Sequence, residues 1–280
     1  MIYAFLSALL QAISLITNKI GLKRRELHTA DYVTMLFSLL TLWGWVAVLL
    51  LKPNLDFNKY FSHLPWLLAI VITAAGWNYI YFRSIKHEKA STVETLMNLS
   101  IPASIFVSWL SGSEAFSWLN LILLSLGIYV LLSSFRKQHH FELDKYLTNL
   151  ILAIILLAVE NTLVQIALIN HYFEPIGLYA IRTTLMAALF WVVFRPGKIE
   201  LSIQEKIVLP IVSIIGAALV ILKWFSFAAT GVVITSLIWF LIPVIVFLFS
   251  VIFLKEKIER KHIIAVTMLL AICSIVFFLD

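Results

Sequence analysis

Two oppositely charged side chains, Glu160 and Arg182, lie inside long apolar runs, where an ionisable residue is costly and marks a functional candidate. Counted along a helix at about 1.5 Å per residue, Glu160 lies roughly 20 Å from one end of its run. Arg182 lies roughly 10 Å from the opposite end of the next run. In a layer about 30 Å thick these depths are similar, so we predict that the two residues pair. Such a pair is either a proton-exchanging site that couples transport to a proton gradient or a structural lock between the two runs.

Further polar and aromatic side chains in other apolar runs are candidates for contact with a substrate. Lys223 either extends to the lipid headgroups or binds an anionic substrate group. Glu94 and Asn98 are four residues apart and share one helix face, although Glu94 is equally typical of an acid at a helix start. For the amides, helix packing is at least as good an explanation as substrate contact. The candidates that we assign to substrate binding are Asn98, Trp77, Trp239, Lys223, Glu94 and Gln11.

The composition indicates that these residues belong to a membrane protein. The chain has 280 residues, of which 62% are hydrophobic and 13% charged, and its mean hydropathy is +0.99. A soluble domain is about half apolar and about a quarter charged. The net charge of +6 does not indicate nucleic-acid binding, because most Lys and Arg residues flank short connections between apolar runs. Met1 leads directly into an apolar run, so no cleavable signal peptide is expected, and the single Cys273 excludes an intramolecular disulfide.

We predict an all-α integral membrane protein with ten transmembrane helices. The connections after odd-numbered spans carry most Lys and Arg residues, whereas those after even-numbered spans carry only Lys52 and Lys59. By the positive-inside rule, both termini of this multi-pass protein face away from the cytoplasm across the inner or plasma membrane. The predicted spans are about 2–20, 31–51, 65–83, 90–110, 117–135, 147–169, 175–194, 207–228, 231–254 and 262–279.

An internal repeat relates the two halves of the chain, residues 1–140 and 141–280. The segment TLMNLSIP, which ends at Pro102, aligns with SLIWFLIP, which ends at Pro243, and an apolar run leads from each proline to a glutamate, Glu114 or Glu256. Because each half has five spans, the second copy inserts in the opposite orientation, as in many secondary transporters. Each proline is expected to kink its helix and to free the carbonyl four residues earlier, at Asn98 and Trp239.

The sequence resembles the drug/metabolite transporter superfamily in its ten-helix EamA-type branch. The resemblance is carried by Pro243, the FLKEKIERKH segment, the last span and the weaker copy around Pro102 and SGSEAFSW. Arg182 matches an arginine that family members often place in the second helix of a half, and the second span has no counterpart. Unlike family members, this chain has no glycine in its last span. The resemblance implies transport by alternating access, with a site near the membrane midplane, and export rather than import.

From these patterns we expect a secondary active transporter of a small metabolite or drug-like molecule, and not an enzyme. Acids and bases within the spans favour an amino-acid-like or zwitterionic substrate. The alternatives are efflux of lipophilic or quaternary cations through an aromatic pocket and, in another class, an intramembrane lipid-modifying enzyme, against which the scattered histidines argue. No Walker loop, dinucleotide fingerprint or HExxH motif occurs. The expected partners are the substrate and the lipid bilayer, with no cofactor, metal or nucleic acid, and a monomer is compatible with the sequence.

Overall fold

The computed structural model describes residues 1–22, 28–87, 97–135, 145–197, 203–254, 267–268, 270–271 and 274. These residues form helices and their connections, with no strand in the described ranges. Most of the last predicted span, 262–279, and the charged segment 255–261 lie outside them. The helices are α1 (Ile2–Leu22), α2 (Thr29–Leu51), α3 (Phe57–Ser62), α4 (Leu64–His87), α5 (Ser100–Leu110), α6 (Trp118–Phe135), α7 (Lys145–Ile169), α8 (Pro175–Phe194), α9 (Ile203–Ile238) and α10 (Leu241–Leu254).

Five of the described helices are long and apolar enough to cross a membrane. They contain the segments Thr29–Leu51, Leu64–Ser84, Thr148–Ile169, Pro175–Phe194 and Glu205–Ile238. Shorter apolar helical segments cover Ile2–Ser14, Ser100–Leu110 and Trp118–Tyr129. Many large apolar side chains on these helices are exposed, among them Ile72, Leu110 and Val192. In water this surface would be a liability, whereas in lipid it is the expected exterior of a membrane protein.

The helices pack in pairs around a common centre. Helix α1 lies against α9 and α10, α2 against α8, α4 against α7 and α8, and α5 against α7. Gly44 lets α2 approach α8 closely, because a Cβ atom at Gly44 would lie 3.1 Å from the Cα atom of Ala180. The packing brings α4, α7, α8 and α9 together, and the last three of these helices carry Glu160, Arg182 and Lys223.

The helical structure is interrupted shortly before each of the two prolines, so both prolines lie in the first turn of the helix that follows. Pro102 is the third residue of α5, and Pro243 is the third residue of α10. Proline is tolerated there because the first residues of a helix have no intrahelical partner for an N–H group. In the described residues the chain leaves the helix at 98–99 before Pro102 and at 239–240 before Pro243.

The carbonyls at these two breaks are hydrogen-bonded, so the prediction that the prolines free them is wrong. The Asn98 carbonyl accepts the N–H group of Ile101 at 3.1 Å. The Trp239 carbonyl accepts the N–H group of Ile242 at 3.0 Å. At both prolines the preceding residue closes a tight turn, so its N–H group binds the carbonyl that lies four residues before the proline.

A second feature of the fold is a helix restart at Gly231, which divides α9. Gly231 has φ 81° and ψ 173°, a backbone conformation that is essentially restricted to glycine. Directly after it, the N–H groups of Val232 and Val233 donate to Oε1 of Glu114 at 2.5 and 3.0 Å. The side chain of Gln165 donates to the same oxygen at 2.5 Å. Glu114, which connects α5 to α6, therefore caps a helix start in the other half of the chain.

We predict that Gly231→Ala destabilises the protein more than the same change at other connection glycines. The alanine Cβ atom would lie 2.6 Å from the Glu114 carboxylate, in addition to the backbone strain of about 1–3 kcal/mol. An alanine at position 112 would have to adopt the positive φ of 68°, but its Cβ atom would contact nothing within 4 Å. An alanine at position 197 would meet neither a positive φ nor a contact within 4 Å. Thermal unfolding in detergent should rank the variants 231, 112 and 197 from least to most stable. Equal stability of all three would contradict the role of Glu114 at this turn.

Candidate functional site

A cavity of about 190 Å³ lies at the centre of the helices and collects most of the candidate residues. It is lined by residues of α1, α2, α4, α5, α7, α8, α9 and α10 and by the break before α5. A buried water needs about 10–15 Å³ of such space, so the cavity has room for a small organic molecule. The sequence-predicted residues that line it are Gln11, Trp77, Asn98, Glu160, Arg182, Lys223 and Trp239.

Glu160 and Arg182 form a buried ion pair in the wall of this cavity. The distance from Arg182 Nη2 to Glu160 Oε1 is 2.5 Å, and the two residues are only 4% and 3% exposed. The second carboxylate oxygen, Oε2, accepts a hydrogen bond from the indole N–H group of Trp77. The guanidinium carbon of Arg182 lies 5.5 Å from the ring centroid of Trp224. The pair therefore links α4, α7, α8 and α9, and both oxygens of its carboxylate are occupied.

Lys223 points into the protein and not to the headgroups, so the snorkelling interpretation is wrong. The residue is 8% exposed, and its Nζ atom donates to Oδ1 of Asn161 at 2.7 Å. The same Nζ atom lies 4.7 Å from the ring centroid of Trp239 and 5.2 Å from that of Phe227. Burial on this side of α9 is possible because an amide and two ring faces replace part of the hydration of the ammonium group.

Neighbouring polar contacts fix the position of these residues. Asn161, which accepts from Lys223, donates through Nδ2 to the hydroxyl of Ser104 on α5 at 2.9 Å. The indole N–H group of Trp239 donates to the hydroxyl of Ser7 on α1 at 2.9 Å. Trp239 belongs to the break between α9 and α10, so this bond ties the break to α1. The rings of Trp77 and Trp239, which both line the cavity, thus keep fixed orientations.

The other sequence-predicted residues differ in what the structure says of them. Gln11 on α1 and Asn98 at the break before α5 line the cavity and are partly exposed. Glu94 lies outside the described residues. The residues directly before the two prolines, Ile101 and Ile242, both line the cavity.

Two kinds of lining residue were missing from the predicted set. Tyr179 is fully buried and its ring centroid lies 5.9 Å from that of Trp224. It occurs three residues before Arg182 on the same helix face, a spacing that would have identified it. Phe37 and Leu40 of α2 also line the cavity, but an apolar residue in an apolar span carries no signal that distinguishes a cavity from lipid or core.

Glu114 has a structural role, because its carboxylate caps the helix that restarts after Gly231. Its burial raises the pKa of the carboxyl group, whereas the donors Val233, Gln165 and Val232 oppose that rise. The cap therefore depends on these three hydrogen bonds to keep a charged group at the helix start. Within the described part of the chain, no group of three His, Cys, Asp or Glu side chains is placed to hold a metal ion.

Comparison with known proteins shows the fold but not a family. No protein-family model and no curated protein matches the chain. Among solved structures, one described only as the crystal structure of a protein is similar, with a TM-score of 0.78. The similarity covers 100% of this chain and 98% of that chain, at 15% sequence identity. The fold is therefore shared with that solved structure over nearly the full length of both chains, while the site must be interpreted from the residues of this chain.

We predict that the Glu160–Arg182 pair behaves as one unit in a double-mutant cycle. Glu160→Gln and Arg182→Gln should each destabilise the protein by about 3–5 kcal/mol, because each leaves an uncompensated buried charge. The double variant should be more stable than the sum of the two losses implies. Thermal unfolding of the purified variants in detergent measures this coupling. Glu174→Gln, an exposed residue whose side chain makes no capping hydrogen bond, serves as the control and should have no effect.

Proposed function

We propose that this protein is a secondary active transporter that moves a small metabolite or drug-like molecule by alternating access. The observation that carries the proposal is the central cavity, in which an ion pair and a lysine are buried among membrane-length helices. Ionisable groups within membrane spans are rare and generally belong to substrate, ion or proton pathways. The cavity is built from both halves of the chain, which is the arrangement expected where two repeats move against each other.

Ten spans in two inverted five-helix repeats are part of the proposal, and several local features support them. Both repeat prolines follow the same turn, with hydrogen bonds from Ile101 to Asn98 and from Ile242 to Trp239. Helices α2 and α8, the second spans of the two halves, both end in a left-handed residue before a proline, with φ 47° at Lys52 and 45° at Arg195. The helix packing has the same symmetry. The first span of each half, α1 or α7, packs against the third span of the other half, α9 or α4. These features agree with the resemblance to the EamA-type branch of the drug/metabolite transporter superfamily, and export is the direction that this resemblance implies.

The substrate expected from the sequence is amino-acid-like or zwitterionic. Efflux of lipophilic or quaternary cations is the alternative, and the aromatic faces of Trp77 and Trp239 are compatible with it. The charge of the cavity does not favour a cation, since Arg182 and Lys223 outnumber Glu160. An intramembrane lipid-modifying enzyme is the alternative of another class, and a flux assay that also analyses the lipids separates it from transport.

Glu160 is the proposed coupling residue, with Arg182 as its partner. In proteoliposomes, uptake of a radiolabelled amino-acid panel by the wild type should increase several-fold when a pH gradient is imposed. Glu160→Gln should remove this response because a glutamine cannot exchange a proton. Glu174→Gln, outside the cavity, should keep it. Transport by the Glu160→Gln variant at the wild-type rate, with unchanged pH dependence, would exclude the coupling role.

The proposed topology places both termini on the non-cytoplasmic side of the inner or plasma membrane. A reporter that is active only outside the cytoplasm, fused after Asp280, should be active in intact cells. A fusion in the connection between α2 and α3 should also be active, and one between α8 and α9 should be silent. A silent fusion at Asp280 would overturn the orientation that the distribution of Lys and Arg residues predicts.

A further inference from the structure

We infer that the transported substrate is a weak organic acid: a carboxylate that binds at Lys223, attached to an uncharged apolar or aromatic body. This inference rests on the transport function proposed above and narrows its substrate. The inferred substrate differs from the zwitterionic substrate expected from the sequence, because the contacts within the cavity leave a positive charge, that of Lys223, without a negative partner among the described residues.

The charge balance of the cavity is the first argument. Among the lining residues that the structure describes, Glu160 is the one carboxylate, and Arg182 and Lys223 are the two cations. With all three groups ionised, the described lining of the cavity carries one net positive charge. A buried, uncompensated charge is costly, so a ligand that brings one negative charge is favoured over a neutral or positively charged one.

The contacts of Lys223 identify where the negative charge binds. Arg182 already pairs with Glu160 at 2.5 Å, whereas Lys223 makes no ion pair with any described carboxylate. Its Nζ atom has a neutral amide oxygen, from Asn161, and two ring faces as neighbours. An ammonium group has three donors, so a carboxylate can join Asn161 at this atom without displacing it.

The contacts of Glu160 argue against a substrate ammonium group. One carboxylate oxygen binds Arg182 and the other binds the indole N–H group of Trp77. An amino acid or an amine would have to share the one described acidic group of the cavity with the guanidinium group that already neutralises its charge. The buried Nε atom of Arg182 and the buried hydroxyl group of Tyr179 have no hydrogen-bond partner among the described residues. Both residues line the cavity, so two donors there remain for an acceptor such as a carboxylate.

The rest of the lining sets the character of the substrate body. Apolar and aromatic side chains surround the charged residues, including Leu36, Phe37, Phe82, Leu157, Leu219 and Trp224. A hydrocarbon or aromatic body gains free energy from burial against them, whereas a strongly hydrated body loses its water without replacement. A carboxylate on such a body matches both the charge and the wall.

Four probes that share one body and differ in the head group test this inference. They are 3-phenylpropionate, its neutral amide, phenylalanine and 3-phenylpropylamine. Binding to the purified full-length protein is measured by calorimetry, and movement is measured separately in proteoliposomes. We expect 3-phenylpropionate to bind at least tenfold more tightly than the other three. Lys223→Met should weaken its binding by roughly tenfold to a hundredfold, the range of a lost hydrogen bond to a charged group. Lys223→Arg should retain part of the affinity.

The matched control is Lys59→Met, which removes an exposed lysine of α3 and should leave the affinity unchanged. Size-exclusion profiles and unfolding temperatures establish that each variant is folded. Equal binding of phenylalanine or the amine, no binding of 3-phenylpropionate by the folded wild type, or unchanged affinity of Lys223→Met would each overturn the inference. Binding of 3-phenylpropionate without movement across the bilayer supports the carboxylate site and contradicts the transport function instead. Movement of phenylalanine that does not depend on Lys223 supports the transport function and contradicts the carboxylate site.

Discussion

The contact between Glu160 and Arg182 constrains the rest of the structure. Two charges removed from water lose several kcal/mol of hydration each, and their attraction offsets that loss only when the geometry is good and the remaining polar atoms are bonded. The 2.5 Å contact and the hydrogen bond from Trp77 meet that requirement at the carboxylate. Because these residues come from α4, α7 and α8, the three helices must keep their relative heights. A shift of one helix by a turn, about 5.4 Å, would separate the charges.

The sequence predicted much of the architecture because apolar length and charge position follow from physics that acts locally. The depth estimate for Glu160 and Arg182 needed only the rise of a helix and the thickness of a bilayer, and the two residues do meet. The boundaries of the apolar runs were similarly informative for α2, α4, α7 and α8. The short helix α3 was not predicted, since six residues within a connection give no periodic signal.

Features that depend on distant partners could not be predicted in this way. The side of α9 on which Lys223 is buried depends on Asn161 and Trp239, which are far away in sequence. The breaks before α5 and α10 depend on tight turns that a proline permits but does not specify. Glu114 was visible as the acid that ends an apolar run, but its role as a cap requires the restart at Gly231 to lie beside it.

The two cavity tryptophans with assigned indole bonds have a consequence for selectivity. Trp77 donates its N–H group to Glu160 and Trp239 donates its own to Ser7, so neither directional donor is left for a ligand. What these residues offer is the flat face of a ring, which attracts many shapes with little regard to orientation. Recognition would then be strict at the charged end of a ligand and permissive along its body. Under the proposed transport function, a site divided in this way would accept a chemical series rather than a single compound, and members of the series would compete for it.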